Sequence, residues 1–106
     1  NLKLYSLDLY FCDKCKLIQI ADIVSPKKIY NQYLYKSQHS FGLVEHFKNY
    51  CETVIKKLKL NPTHKILDIG CNDGTLLNFF VKKGYKVLGV DPASNISEEC
   101  KKKILI

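Results

Sequence analysis

Apolar and polar positions change rhythm several times along the chain. Leu7, Leu9 and Phe11 alternate with Asp8 and Tyr10, the two-residue period of a short strand. Leu17, Ile18 and Ile20 predict a return strand after a tight turn at Cys12-Asp13-Lys14-Cys15. Ser25-Pro26 marks a boundary, and Pro26 suits the first turn of a short helix through about Tyr30. From about Ser40 to Leu60 the period is helical. Val44, Phe47, Cys51, Val54, Ile55 and Leu58 form one stripe, with Glu45, Lys48, Asn49, Glu52 and Lys56 facing away. Asn61-Pro62 ends that helix. Ile66, Leu67 and Ile69 then make an apolar run of the kind found in strands buried on both faces. Leu76, Leu77, Phe80 and Val81 share a helix face, and Gly84 suits the helix end. Val87, Leu88 and Val90 predict a second strand, and a last helix runs from about Asn95 to Lys103.

The strand–turn–helix–strand unit from Lys65 to Asp91 carries the chemistry. Asp68 interrupts an apolar strand, where a carboxylate is costly unless it is hydrogen-bonded or meets a ligand. Gly70 and Gly74 bracket Cys71, Asn72 and Asp73, and let backbone approach a ligand closely. Asp91 ends the second strand, 21 residues after Gly70, near the spacing at which an acid meets ribose hydroxyls. A dinucleotide fingerprint would need glycine at positions 70, 72 and 75, but Asn72 and Thr75 stand there. The methyltransferase pattern D-x-G-x-G-x-G fits Asp68, Gly70, Asn72 and Gly74 with only its middle glycine replaced. This points to S-adenosylmethionine. The competing reading is an ordinary strand–helix–strand unit with no ligand.

Composition bounds the rest. The chain has 106 residues, enough for one small domain but too few for a complete doubly wound sheet. It contains no methionine, so it reads as an internal piece of a longer protein, poorly folded and catalytically silent alone. Its formal charge of +7 comes from lysines such as Lys56, Lys57, Lys59, Lys82, Lys83 and Lys101-Lys102-Lys103. Solvated helix surface is the plainer reading of these, and attraction to an anionic partner such as a nucleotide-sugar or nucleic acid is the alternative. Basic and aromatic residues do not alternate along one groove, which argues against nucleic acid. No apolar run approaches a membrane span. Five cysteines without a disulfide-like spacing suggest a reducing cytoplasm.

Cys12 and Cys15 form a C-x-x-C knuckle in a two-strand ribbon, half of a structural zinc site. Cys51, Cys71, Cys100, His39, His46 and His64 lack the spacing to complete it. Tyr30, Tyr33 and Tyr35, followed by Ser37, His39 and Ser40, read either as aromatic packing under the next helix or as the wall of a substrate or cofactor site.

LDLYFCDKCKLIQI, YNQYLYKSQHS, ILDIGCNDGTLLNFF and VLGVDPASNI, in that order, resemble the nucleotide-sugar C-methyltransferases. The resemblance implies an α/β chain in three parts. Residues 1–24 would be part of a zinc-binding, ribbon-like module, and residues 25–60 a helical connector lining the active site. Residues 61–106 would start a Rossmann-like domain that binds S-adenosylmethionine. It implies Cys12 and Cys15 as zinc ligands. Gly70, Asn72 and Gly74 would hold the methionine end of the cofactor, with Cys71 in the same cofactor-binding turn and Asp68 supporting it. Asp91 would bind the ribose hydroxyls, and Pro92 and Ala93 would lie near the adenine. Tyr33 and Tyr35 match a Y-x-Y stretch beside the active site, though Gln38-His39 departs from that stretch's serine-rich form. The expected histidine base lies beyond Ile106, and neither His46 nor His64 replaces it. The implied reaction is C-methylation of a nucleotide-linked keto-deoxysugar through an enolate. O- or N-methylation of another small molecule or RNA is a second possibility, and a non-catalytic zinc and nucleoside-binding module a third. The residues do not settle the oligomeric state.

Overall fold

The computed structural model describes residues 4–103. Leu9–Phe11 (β1) and Ile18–Ile20 (β2) pair antiparallel, with Leu9 opposite Ile20. Two bonds close the intervening turn: Cys12 N–H to the Leu17 carbonyl at 2.9 Å and Lys16 N–H to the Cys12 carbonyl at 2.7 Å. Every residue of both strands is exposed, so this ribbon has no core of its own. Pro26–Tyr30 forms α1, with the proline in its first turn as its fixed φ favours. An irregular strap carrying Tyr33 and Tyr35 leads to one 3-10 turn, Ser37–His39.

Helix α2 covers Leu43–Lys57, shorter at both ends than its sequence suggests. At its start, Ser37 and Gln38 just upstream are held by hydrogen bonds described below. At the other end Lys59 takes a left-handed φ of 51°, and Leu60 N–H bonds the Ile55 carbonyl at 3.0 Å, a Schellman closure. Of the expected stripe, Cys51 is buried and Phe47, Val54 and Ile55 are partly buried, whereas Val44 and Leu58 are exposed.

Lys65–Ile69 (β3), Thr75–Lys82 (α3) and Lys86–Val90 (β4) form a parallel crossover unit, with Ile66 beside Val87 and Asp68 beside Gly89. Ser94–Lys103 is α4. Helix α3 ends as α2 does: Tyr85 N–H bonds the Phe80 carbonyl at 3.1 Å, and the two rings pack edge to face at 6.0 Å. The core lies on one side of the sheet. One cluster joins Cys71, Leu77 and Cys100 to Ile66 and Val87, and the other joins Cys51, Phe80 and Tyr85 to Val54, Ile55 and Leu60.

Gly89 makes this packing possible. A Cβ there would lie 2.6 Å from Cys71 Sγ and 2.9 Å from a Leu77 methyl. The gap left by the missing side chain is filled by the thiol.

The expectation of burial on both sheet faces is corrected. Leu67 is 58% and Ile69 79% exposed, and Leu88 and Val90 beside them are about half exposed. The helices pack on the Ile66–Val87 side, and no described residue covers the other.

Candidate functional site

The turn after β3 is fixed by the end of β4. Gly70 N–H and Cys71 N–H both bond the Val90 carbonyl, at 2.7 and 3.2 Å. The chain then swings through a left-handed φ at Gly70 (85°), Asn72 (49°) and Gly74 (73°) before α3 begins. Asparagine is among the few side chains that tolerate this region, so position 72 keeps the backbone form of the glycine it replaces.

Asp91 closes the same turn from the other side. Its Oδ2 accepts the Asn72 N–H at 2.9 Å, and its Oδ1 accepts the Ala93 N–H at 2.8 Å. Each carboxylate oxygen keeps a lone pair for a further donor. The aspartate therefore stands at the mouth of the glycine turn.

A cavity of about 390 Å³ opens there. Gly70, Asn72, Asp91 and Pro92 form one side, and Tyr30, Tyr33, Tyr35 and Ser37 another, with Leu43 and Phe47 from α2. The Tyr35 hydroxyl accepts a bond from Ser40 Oγ at 2.9 Å. This size and mixture of aromatic wall and few polar groups is typical of a small-molecule site. A larger hollow of about 530 Å³ adjoins it across Tyr30 and Pro92, lined also by Lys27, Lys28 and Asn31. The smaller cavity is the better candidate, because it holds the carboxylate and the turn.

Not every residue singled out in the sequence reaches the cavity wall. Cys71 and Ala93 are turned into the core, so only their backbones could serve a ligand. Gly74 borders a separate hollow with Gln38, Asp73 and Thr75. His39, His46 and His64 do not line the cavity. His46 stacks on Tyr50, and His64 Nδ1 accepts the Asn61 N–H.

Asp73 was marked in the sequence only as part of the turn, yet it is almost fully buried. Its Oδ1 accepts the Thr75 N–H and hydroxyl, at 3.1 and 2.6 Å, and its Oδ2 accepts the Gln38 N–H at 3.0 Å. An aspartate whose side chain accepts the N–H two residues on is a readable Asx turn. Its reach to Gln38 is not readable.

Electrostatics sharpen the picture. Burial pushes the Asp68 carboxyl above its ordinary range, and the charge of Asp91 adds to the shift. The Cys71 thiol is pushed up to about 12, first by burial, then by Cys100, Asp91 and Asp68, so it stays a neutral packing group. A carboxyl raised in the folded state contributes stability that is present below its unfolded value of 3.8 and is lost as pH rises through the folded one. Asp68→Asn should therefore melt above wild type at pH 7 without ligand, the gap closing as the pH falls toward that value. Thermal melts across pH check this, and identical curves at pH 7 would show that the buried charge costs nothing.

Residues 43–103 match the family model described as a methyltransferase domain. The chain belongs to that family. C-methyltransferase NovU of Streptomyces niveus is 26% identical to it over 94 residues, which cover 89% of this chain and 22% of NovU. The chain thus spans about a fifth of the length of that relative. Membership in the methyltransferase family makes S-adenosylmethionine the cofactor against which to weigh the cavity, and the residues present suit it. Asp91, with free lone pairs, lines the space, and Gly70 has no atom within 4 Å of where a Cβ would stand, whereas Asp68 is not part of the cavity wall.

Zinc fares differently. Among the described residues no group of three or more Cys, His, Asp or Glu side chains could hold a metal ion. Cys12 and Cys15 offer two thiols on an exposed turn and do not form a closed site by themselves. No helix among the described residues is long and apolar enough to cross a membrane.

Proposed function

We propose that the whole protein is an S-adenosylmethionine-dependent C-methyltransferase acting on a nucleotide-linked keto-deoxysugar through an enolate. This chain would supply the Rossmann-like cofactor cradle and part of the acceptor wall. The observation that carries the reading is the position of Asp91, 2.9 Å from the backbone of the glycine turn and across one cavity from Tyr33 and Tyr35. The C-methyltransferase name of the relative and the order of the motifs support the rest.

When bound, the cofactor supplies a methyl group already activated on a sulfonium. The remaining work is to bind, orient and exclude water. Asp91 would accept the ribose hydroxyls, while Gly70 and Asn72 present backbone to the methionine end. The Asp91 carboxylate on the cavity wall would favour a cationic ligand. Tyr33 and Tyr35 would hold the sugar by apolar area with one hydroxyl each. Lys27 and Lys28, which line the adjoining hollow, would meet the phosphates of the nucleotide. No residue of this chain is assigned the proton removal. A structural zinc on Cys12 and Cys15 would need two further ligands from outside these residues, and no step passes through it.

The test uses the full-length protein, S-adenosylhomocysteine and a nucleoside-diphosphate keto-deoxysugar in D₂O. With no methyl group available, an enolate mechanism incorporates deuterium at the carbon beside the ketone. Absence of such exchange, together with methylation of an oxygen or nitrogen of the probe when S-adenosylmethionine replaces S-adenosylhomocysteine, would overturn the proposed reaction.

A further inference from the structure

The strap carrying Tyr33 and Tyr35 belongs to no helix or strand. Its backbone is instead gripped by side chains from the cofactor half of the chain. Asn95, in the first turn of α4, accepts the Tyr33 N–H at 3.3 Å and donates back to the Tyr33 carbonyl at 2.9 Å. Asn72 repeats the pattern one step along. Its Oδ1 accepts the Ser37 N–H at 2.9 Å and the Ser37 hydroxyl at 3.3 Å, and its Nδ2 donates to the Tyr35 carbonyl at 3.1 Å. Asp73 adds the Gln38 N–H at 3.0 Å. Each asparagine amide thus acts as a strand neighbour would, taking an N–H and returning one to a carbonyl.

The residue types are suited to this. Glycine at position 72 would meet the backbone need, since φ is 49°, but would leave Ser37 and Tyr35 without their partner. Ser37 and Asn72 are both buried, so these bonds compete little with water.

We propose that Asn72, Asp73 and Asn95 are positioning residues forming a clasp that holds the two tyrosines as the acceptor wall against the cofactor turn. The proposal rests on the methyl-transfer reading for the use of that wall, though not for the clasp itself. Losing the clasp loosens the wall and leaves the turn, whose own bonds run from the backbone to Val90 and Asp91.

Two variants of the full-length protein test it, Asn72→Gly and Asn95→Ala, the second lying outside the turn. Hydrogen exchange should show the Ser37 amide losing about 10-fold or more of its protection in Asn72→Gly, and the Tyr33 amide similarly in Asn95→Ala. Leu77 and Phe80 in α3 should keep theirs. With 3-fluorotyrosine incorporated, the ¹⁹F resonance of Tyr35, assigned by its loss in Tyr35→Phe, should move toward the solvent-exposed position in Asn72→Gly. S-adenosylmethionine affinity by calorimetry should change by no more than about threefold in Asn95→Ala, no more than the net worth of one ordinary hydrogen bond. Unchanged exchange at Ser37 and Tyr33, or a loss spread equally over α3, would overturn the clasp. If the wild type does not bind S-adenosylmethionine at all, the methyl-transfer reading falls, while the exchange pattern still judges the clasp.

Discussion

Asp91→Ala should lower the S-adenosylmethionine affinity of the full-length protein by about 100-fold or more. The carboxylate does two jobs in one place. It holds the backbone of the glycine turn through Asn72 N–H and the start of α4 through Ala93 N–H. It also keeps lone pairs facing the cavity, where the ribose hydroxyls would donate. Each bond to a charged acceptor contributes about 1.5–3 kcal/mol, so losing the ribose bonds alone accounts for the fall. Calorimetry against wild type measures it. Asp91→Asn should fall between the two, since the amide oxygen still accepts one N–H while the charge is gone. Wild-type affinity in Asp91→Ala would remove the aspartate from the cofactor site and with it the main support for the function proposed.

The second large effect is expected at a residue without a side chain. Gly89→Ala places a methyl 2.6 Å from Cys71 Sγ and 2.9 Å from Leu77. The leucine methyl can rotate aside, but the thiol is held in a buried turn. Overpacking of this kind costs about 1–3 kcal/mol. Because Cys71 immediately precedes Asn72, relief of the clash also pulls the turn away from Asp91, so stability and cofactor affinity should fall together. Cys71→Ala removes the offending sulfur. The double variant should then be more stable than the sum of the single changes predicts, and a denaturation cycle on the four proteins measures that coupling. Strict additivity would show that the two positions do not share a packing site.

Local chemistry explains which parts of the fold were legible. Pro26 announces α1, and Asn61-Pro62 separates α2 from β3. The apolar runs around Ile66 and Val87 become β3 and β4. Asp91 was readable because its distance from Gly70 reflects the length of a strand–helix–strand crossover. The misreadings arise where distant partners override local preference. Residues 40–42 continue a helical pattern, yet α2 starts at Leu43, because Ser37 and Gln38 are bound to Asn72 and Asp73, 35 residues away. Cys71 and Ala93 sit in ligand-like motifs but point inward, since the gap at Gly89 and the packing of α4 claim them. No periodicity could reveal that an asparagine in the turn and another in α4 hold the tyrosine strap, as these contacts follow from the folded path alone.

The uncovered side of the sheet has its own consequence. Leu67, Ile69, Leu88 and Val90 make a two-by-two oily block, each member at least about half in water. Fully sheltering such a side chain is worth about 1.5–3 kcal/mol, so shielding the block as a whole would add on the order of 5 kcal/mol. That is comparable to the entire net stability of a modest domain. Whatever shelters this block would therefore do more to keep β3 and β4 together than any single polar contact around the cavity.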